Sequence, residues 1–259
     1  MATYTTEIAS DKLISDNPIH QRLLKAYIAA RPWISGELLE LGCGEGRGVE
    51  TLLPLAKSYL GLDKIGEVIT NLREKYPDIR FEQAVIPPFK TVADASFDTV
   101  VSFQVIEHIE NDRLFLQEIY RVLKPGGKAI ISTPNINHTL SRNPWHIREY
   151  TPSQLTRLAK EIFDTVESKG IGGNEKVWAY HEANRASVQK IMRFDIFDLQ
   201  HKLPAAVLRM PYEILNRLNR NKLHKEQGKS VVDISHEDYL VVDDPAKGLD
   251  LFYILHKKK

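Results

Sequence analysis

A cluster of glycines directly after a short apolar run constrains the fold of this chain more than any other feature. The run covers residues 37–41, and Gly42, Gly44, Gly46 and Gly48 follow it at every second position. The run is typical of a buried strand, and glycines let the backbone turn tightly and approach a ligand closely. Because a helix that begins here presents free N–H groups, the pattern predicts a site for a negatively charged group.

The spacing of the glycines distinguishes between two kinds of nucleotide site. The dinucleotide fingerprint requires a third glycine three residues after the second, and this chain has Arg47 or Val49 at the two possible positions. Asp63 lies at the end of the next predicted strand, where a carboxylate can accept hydrogen bonds from both hydroxyls of a ribose. The sequence therefore predicts a nucleoside site that differs from the usual dinucleotide site.

Short apolar runs alternate with helical periods along most of the chain. The predicted strands cover 37–41, 59–62, 79–84, 97–103, 129–133, 163–167 and 249–255. The predicted helices cover about 18–31, 46–57, 67–75 and 115–123, and a further helix starts at a capping box formed by Thr151 and Gln154. This alternation favours an α/β fold with a mostly parallel sheet and helices on both faces, whose ligands bind beyond the carboxyl ends of the strands.

Breaks in this pattern suggest four segments. We expect an N-terminal helical cap at 1–35, a Rossmann-like core at 36–169, a helical insertion or lid at 170–247, and the last core strand with a tail at 248–259. The insertion is expected because so long a stretch is unlike a loop in a compact domain. Its helical run at 203–223 contains Pro211, which is expected to kink or split the helix.

Composition excludes several classes of protein. A formal net charge of +1 gives no overall attraction to nucleic acid or to a membrane surface. The single cysteine, Cys43, excludes an internal disulfide, and it has no neighbouring base that would make it a nucleophile, so we expect it to pack in the turn. The first residues lack the apolar run of a secretory signal, and no stretch is long enough to span a bilayer. We therefore expect a cytoplasmic protein.

Four ordered segments identify a family resemblance. They are LLELGCGEGRG at 38–48, YLGLDK at 59–64, PPFKTVADASFDTVVSFQVIEHIEN at 87–111 and EIYRVLKPGGKAIISTPN at 118–135. Together they resemble the class I methyltransferases that depend on S-adenosylmethionine (SAM), and most closely the branch of ubiquinone and menaquinone biosynthesis. The resemblance implies a seven-stranded sheet with an antiparallel last strand, and SAM as the cofactor.

The same resemblance implies a set of SAM contacts. The glycines would hold the methionyl part, Asp63 the ribose, and Gln83 with Ala84 the adenine, although the family commonly has aspartate where this chain has Gln83. The full set of implied SAM contacts is Gly42, Gly44, Gly46, Asp63, Gln83, Ala84, Phe103, Gln104 and, on the lead-in helix, Arg22.

His108 is the predicted catalytic base. The family places this residue opposite the transferred methyl group, and the pKa of an ordinary histidine suits a base at neutral pH. Two other interpretations remain: a structural histidine that binds a loop carbonyl, or a metal ligand together with Glu107. Two ligands are weak evidence for a metal site, so we expect no metal.

The acceptor side is predicted from a loop and from the insertion. His146, Arg148 and Tyr150 lie in the loop after the fifth predicted strand, where specificity residues are common. The alternative is a loop whose side chains bond only within the loop and cap the helix that starts at Thr151. Residues 185–229 contain ten Lys or Arg and four Asp or Glu. The run at 203–223 is consistent with a lid, a contact with anionic lipid, or a helix packed on its own domain.

These observations favour a SAM-dependent methyltransferase, with O-methylation of a small, quinone-like, or lipid- or glycan-linked acceptor. One alternative is a nicotinamide-dependent oxidoreductase on a similar sheet, and another is a non-catalytic partner subunit with this fold. A nucleic-acid methyltransferase is disfavoured because its Asn/Asp-Pro-Pro-aromatic motif is missing after the fourth strand, and no nucleic-acid partner is expected.

Overall fold

Eight strands form one sheet in the computed structural model, which describes residues 14–193, 195 and 199–259. The first thirteen residues of the predicted cap, including the stretch examined for a signal, lie outside the described residues. The strands are β1 (Glu37–Leu41), β2 (Ser58–Asp63), β3 (Arg80–Gln83), β4 (Phe97–Phe103), β5 (Leu123–Pro134), β6 (Thr165–Gly173), β7 (Tyr239–Val242) and β8 (Asp250–His256).

The strand order is β3-β2-β1-β4-β5-β8-β6-β7. β1 to β5 pair in parallel, whereas β8 lies antiparallel between β5 and β6. The prediction of a mostly parallel sheet whose last strand is antiparallel is confirmed. The count of seven is wrong by one, because β7 adds an antiparallel edge strand that is short and half exposed and therefore has little periodicity.

Helices cover both faces of the sheet. They are α1 (Asn17–Ala30), α2 (Val49–Leu52), α3 (Gly66–Lys75), α4 (Asp112–Val122), α5 (Pro152–Lys160), α6 (Glu175–Met192), α7 (Leu199–Lys202) and α8 (Ala205–Asp233). Successive residues of β1 point into two apolar clusters, since Leu38 belongs to one cluster and Leu39 to the other. A parallel sheet buried on both faces reads as a continuous apolar run, which is why β1 was evident in the sequence.

Several helix boundaries differ from the prediction. The helix predicted at 46–57 is wrong in length, because α2 spans only Val49–Leu52 and a 3-10 turn at Leu53–Leu55 replaces the rest. Pro54 lacks the N–H that would continue an α-helix. The capping box at Thr151 and Gln154 is confirmed, with both reciprocal hydrogen bonds present.

The segment predicted as a helical insertion at 170–247 also contains strand. β6 extends to Gly173, and β7 lies within the segment, while α6, α7 and α8 occupy the part between them. α8 is one helix through Pro211 and is not split there. Among the described helices, none is long and apolar enough to cross a membrane.

A buried glutamate in β1 makes the stability of the fold depend on pH. Glu40 is 1% exposed and accepts hydrogen bonds from the hydroxyls of Tyr27 and Tyr59. Burial raises its pKa from 4.5 to about 7, although both tyrosine hydrogen bonds oppose this shift. Because the folded pKa lies above the unfolded value, this group stabilises the fold fully below pH 4.5, and the contribution is lost as the pH rises through 7.

We expect Glu40→Gln to stabilise the protein at pH 8 by up to about 3 kcal/mol relative to the wild type, and to change little at pH 5. Glutamine resembles the protonated acid in shape and charge. Urea unfolding at the two pH values measures the difference. Burial also raises the pKa of Glu107 to about 7. Because Glu107 is present in both proteins, its contribution cancels in the comparison. An equal effect of the substitution at both pH values would contradict the assignment.

Candidate functional site

A cleft of about 560 Å³ lies beyond the carboxyl ends of β1, β2 and β4. The glycine loop after β1 forms one wall, Asp63 at the end of β2 a second, and residues 103–109 after β4 a third. α1 closes the cleft with His20, Leu23, Leu24 and Tyr27, which share one side of that helix. This edge of the sheet is where a parallel α/β fold is expected to bind its ligand.

The glycine loop has a backbone that other residues adopt with strain. Gly42, Gly44 and Gly46 have φ angles of 72°, 50° and 80°. The N–H groups of Gly42 and Cys43 both donate to the carbonyl oxygen of Leu62, at 2.8 and 3.1 Å, which fastens the loop to β2. Three positive φ angles at alternate positions explain the glycine spacing read from the sequence.

Asp63 joins the glycine loop to the turn after β2. Its Oδ2 accepts from the N–H of Gly44 at 2.9 Å, and its Oδ1 accepts from the N–H of Ile65 at 2.9 Å. Each carboxylate oxygen has a second lone pair, and the side chain lines the cleft. Asp63 is thus held in one orientation with acceptor capacity left for two hydroxyl groups.

The chain leaves β4 through a strained residue. Gln104 has a φ of 57°, which is uncommon outside glycine, and its N–H donates to the carbonyl oxygen of Ser132 at 2.9 Å. Its side-chain amide donates to the hydroxyl of Ser132 at 3.4 Å. Strain of this kind persists where the surrounding structure fixes it, and it is concentrated at functional sites.

His108 lines the cleft on a 3-10 turn after β4. Its Nδ1–H donates to the carbonyl oxygen of Trp145 at 2.9 Å, and its ring packs edge-on against His146 with the centroids 4.9 Å apart. A carbonyl can only accept, so in the neutral ring the proton lies on Nδ1 and Nε2 is the basic nitrogen. This is the tautomer that a general base requires.

Glu107 supports the same turn from inside the protein. It is fully buried, and its Oε2 accepts from the hydroxyl of Thr133 at 2.9 Å. Its backbone carbonyl accepts from the N–H groups of Ile147 and Arg148, at 2.8 and 3.3 Å, which anchors the loop after β5 beside His108. Burial raises the pKa of Glu107 to about 7, while the nearby His146 opposes this effect.

The three predicted acceptor residues diverge in the structure. His146 lies against His108, with Nδ1 donating to Glu149 at 2.6 Å and Nε2 accepting from Asn143 at 2.8 Å. Arg148 and Tyr150 instead turn toward Asp112 at the start of α4. Arg148 forms an ion pair with Asp112 at 3.1 Å, and the Tyr150 hydroxyl donates to it at 2.8 Å. The structure therefore brings only His146 close to the predicted base.

Three of the implied SAM residues also lie away from the cleft lining. Arg22 forms a buried ion pair with Asp250 at 3.2 Å instead of facing the cleft. Gln83 donates its side-chain amide to the carbonyl of Lys64, and Ala84 donates its N–H to the carbonyl of Asp63. Val85 and Ile86, which follow them, line the cleft. The other implied residues, Gly42, Gly44, Gly46, Asp63, Phe103 and Gln104, all line it.

Cys43 also lines the cleft but is poorly suited to nucleophilic chemistry. Its thiol is 2% exposed, and burial raises its pKa well above the ordinary value. Only the thiolate is a good nucleophile, so this environment suits a packing residue.

Three side chains of the site have the composition of a cation site. Ligand atoms of Glu107, His108 and His146 all lie within 4.8 Å of one another. Oε1 of Glu107 is buried and has no hydrogen-bond partner within the described part of the chain. Both ring nitrogens of His146 already have partners, so binding a cation there would break one of those hydrogen bonds.

Residues 39–131 match a family model described as a methyltransferase domain. The chain is 36% identical over 159 residues to a probable SAM-dependent methyltransferase of Mycolicibacterium smegmatis, an alignment that covers 59% of this chain and 58% of that protein. It is 33% identical over 127 residues to the mitochondrial ubiquinone biosynthesis O-methyltransferase of Rattus norvegicus, covering 45% of this chain and 34% of the relative. The chain thus spans about half the length of the mycobacterial relatives it matches.

Solved structures share the fold. A SAM-dependent methyltransferase of Thermotoga maritima, described as a possible histamine N-methyltransferase, aligns over 93% of this chain and 91% of its own, with a TM-score of 0.58 and 15% identity. A phosphoethanolamine N-methyltransferase of Haemonchus contortus, solved with S-adenosylhomocysteine, aligns over 91% of this chain and 52% of its own, with a TM-score of 0.54 and 20% identity. At these identities the likeness establishes a common fold.

Residues 39–131 are thus similar to a methyltransferase domain, and the chain is similar over part of its length to SAM-dependent methyltransferases. The cofactor of this class is SAM, and the cleft has features that fit it. A Cβ added at Gly44 would meet no atom within 4 Å, so this glycine borders open space. The Asp63 carboxylate next to it can accept from ribose hydroxyls, and the backbone of Gln104 lies across the cleft.

Two glycine variants test whether SAM binds beside the glycine loop. We expect Gly44→Ala to cost only about 1–2 kcal/mol of folding stability, because φ is positive but the space is open. It should weaken SAM binding by about tenfold or more, since the methyl group enters the volume reserved for the ligand. Calorimetric titration with SAM and thermal unfolding measure the two effects separately.

Gly42→Ala is the matched control. Its Cβ would lie 2.4 Å from a Val105 methyl group at a φ of 72°, so we expect it to destabilise the fold more than Gly44→Ala does. If Gly44→Ala bound SAM as tightly as the wild type, the space beside that residue would not be the cofactor site.

Proposed function

We propose that this protein transfers the methyl group of SAM to a hydroxyl oxygen of a small, quinone-like or lipid-linked acceptor. The observation that carries the proposal is the orientation of His108. It lines the same cleft as the glycine loop and Asp63, with Nδ1–H fixed on the carbonyl of Trp145. Nε2 is therefore the nitrogen that can accept the proton of an attacking hydroxyl.

The chemistry requires little else from the chain. When bound, SAM would supply a methyl group on a cationic sulfur. The acceptor oxygen would form a bond to the methyl carbon in line with the breaking carbon–sulfur bond, and S-adenosylhomocysteine would leave. The glycine loop and Asp63 hold the nucleoside side, and Gln104 fixes the chain at the end of β4, so both partners can be held in alignment. His108 takes the acceptor proton, and no covalent enzyme intermediate is required.

Apolar lining supports an aromatic or otherwise apolar acceptor. Leu23, Leu24, Val105 and Ile109 all line the same cleft as His108. The relative from Rattus norvegicus is a ubiquinone biosynthesis O-methyltransferase, and a relative of the same description from Paracidovorax citrulli is 25% identical over 190 residues. These relationships favour a quinol or phenol. The lone cysteine agrees with the cytoplasmic setting that we propose for the reaction.

Transfer of labelled methyl groups to panels of quinol, phenol, sugar and lipid acceptors tests the proposal. We expect a labelled ether product from at least one hydroxyl acceptor. Labelled products from amine or thiol acceptors alone would contradict O-methylation. Binding of NAD with no binding of SAM would favour the oxidoreductase alternative, and binding of neither would favour a non-catalytic subunit.

Treatment with a chelator distinguishes a general base from a metal ligand at His108. If His108 acts as a base, transfer should continue at the same rate after dialysis against EDTA. Loss of transfer that returns with a divalent cation would instead assign Glu107, His108 and His146 to a cation that binds the acceptor oxygen.

A further inference from the structure

The long helix α8 packs against the protein with polar side chains as well as with the buried Leu223 and Val231. Arg217 and Arg220 both point inward and bind Asp16, with Nη1 of each lying 3.0 and 3.2 Å from Oδ1 of that residue. Asn219 is buried and donates to Asn184 at 2.8 Å. A helix that packs on its own domain in water normally turns its apolar side inward. The packed side of α8 carries charged and amide groups beside its buried leucine and valine.

A second set of apolar side chains on α8 faces outward. Its exposed side chains recur every three or four residues and so form a single stripe about 16 Å long. Met210 is 72% exposed and Leu218 is 59% exposed. We call this surface the α8 stripe, and its members are Val207, Met210, Ile214, Leu215 and Leu218.

The charge around the α8 stripe is mainly positive. Residues 199–225 contain six Lys or Arg and a single acidic residue, Glu213, which is only partly exposed. Lys222 and Lys225 are exposed, and they follow Leu218 on the same side of the helix by one and two turns. Lys202 is exposed just before the helix begins. An apolar stripe bordered by cations is complementary to a bilayer that contains anionic lipid.

Two contacts join α7 and α8 to the loop after β5. The Arg209 guanidinium lies over the ring of Trp145 at 4.0 Å, and Trp145 provides the carbonyl that orients His108. Nη1 of Arg142, at the start of the same loop, donates to the carbonyl of Gln200 in α7 at 2.7 Å. A surface that the α8 stripe contacts would therefore lie next to the loop beside the predicted base.

We infer that the α8 stripe lies in the interface of an anionic membrane, with Lys222 and Lys225 at the headgroups, and that the cleft takes a lipid-linked acceptor from that membrane. The membrane contact depends only on the surface of α8. The identity of the acceptor rests on the proposed methyl transfer.

Flotation with lipid vesicles tests the contact without an acceptor. We expect the full chain to bind vesicles of equal parts phosphatidylcholine and phosphatidylglycerol, and to bind phosphatidylcholine alone at least about tenfold more weakly. Leu218→Glu should weaken binding to the anionic vesicles by about tenfold or more, because it removes apolar contact and adds a repelled charge. Raised salt should also weaken it.

Leu55→Glu is the matched control. Leu55 is also an exposed leucine, but it precedes β2 at the opposite edge of the sheet, so vesicle binding should stay at the wild-type level. Calorimetric titration with SAM checks that both variants are folded, since neither residue lines the cleft.

Two results would overturn the inference. One is no binding of the wild-type chain to anionic vesicles. The other is a dimer in sedimentation equilibrium that Leu218→Glu dissociates, which would assign the α8 stripe to a second copy of this chain. Vesicle binding without methyl transfer would leave the membrane contact standing and refute only the proposed acceptor chemistry.

Discussion

Replacing His108 with glutamine should lower kcat by about a hundred- to ten thousand-fold, the usual contribution of a positioned general base. Glutamine keeps the polarity and approximate length of the side chain but cannot take a proton. The affinity for SAM should stay within about twofold, because the glycine loop and Asp63 that hold the nucleoside are unchanged. The initial rate of labelled methyl transfer at saturating SAM measures the first effect, and calorimetry measures the second.

His256→Gln is a suitable control for this variant. His256 ends β8 and pairs with Lys128, whereas Asp250 at the other end of β8 pairs with Pro134 at the carboxyl end of β5. His256 thus lies at the end of the sheet opposite the cleft. We expect its kcat to match that of the wild type. A kcat for His108→Gln equal to that of the wild type would refute the base assignment and leave His108 as a structural ligand of the Trp145 carbonyl.

Asp63→Ala should weaken SAM binding by about a hundredfold or more. The carboxylate accepts backbone hydrogen bonds from Gly44 and Ile65, and in the proposed complex it also accepts from the ribose. Hydrogen bonds to a charged group contribute about 1.5–3 kcal/mol each, and the substitution removes several at once. Calorimetric titration measures the affinity, and thermal unfolding reports the cost of freeing the glycine loop.

The exposed acid Glu67, in the first turn of α3, provides the control for Asp63. Glu67→Gln removes a negative charge near the same end of the sheet without touching the glycine loop. It should bind SAM like the wild type. An unchanged affinity in Asp63→Ala would show that the ribose is not bound at the end of β2.

The glycine turn and the position of Asp63 were predictable because they depend on local sequence. The turn after β1 requires positive φ angles at Gly42, Gly44 and Gly46, and only glycine adopts these without strain. Asp63 follows from the end of the next strand. The same locality explains why the capping box at Thr151 and the buried strand at 37–41 were correctly placed.

The contacts of Arg22 and Arg148 were less predictable because their partners are distant in sequence. Arg22 is paired with Asp250, and Arg148 with Asp112, so their chemistry is directed into the protein. No periodicity in the sequence reports such pairs. Asp250 had only one local signal, an acidic residue at the start of an otherwise apolar strand.

The orientation of α8 shows a further limit of sequence patterns. Periodicity identified an apolar side and a basic side in the run at 203–223, but it cannot say which side packs inward. Asp16 decides this, because a buried carboxylate requires the two inward arginines 217 and 220 as partners. The α8 stripe is left facing outward as a consequence.

The proposed methyl transfer depends most directly on where SAM binds, and a crystal soaked with S-adenosylhomocysteine shows this position. We predict electron density for the ligand between the glycine loop at 42–46 and Asp63, with both ribose hydroxyls on the carboxylate and the homocysteine sulfur facing His108. A cleft without ligand density at saturating concentration, or a ligand bound elsewhere on the chain, would contradict the account.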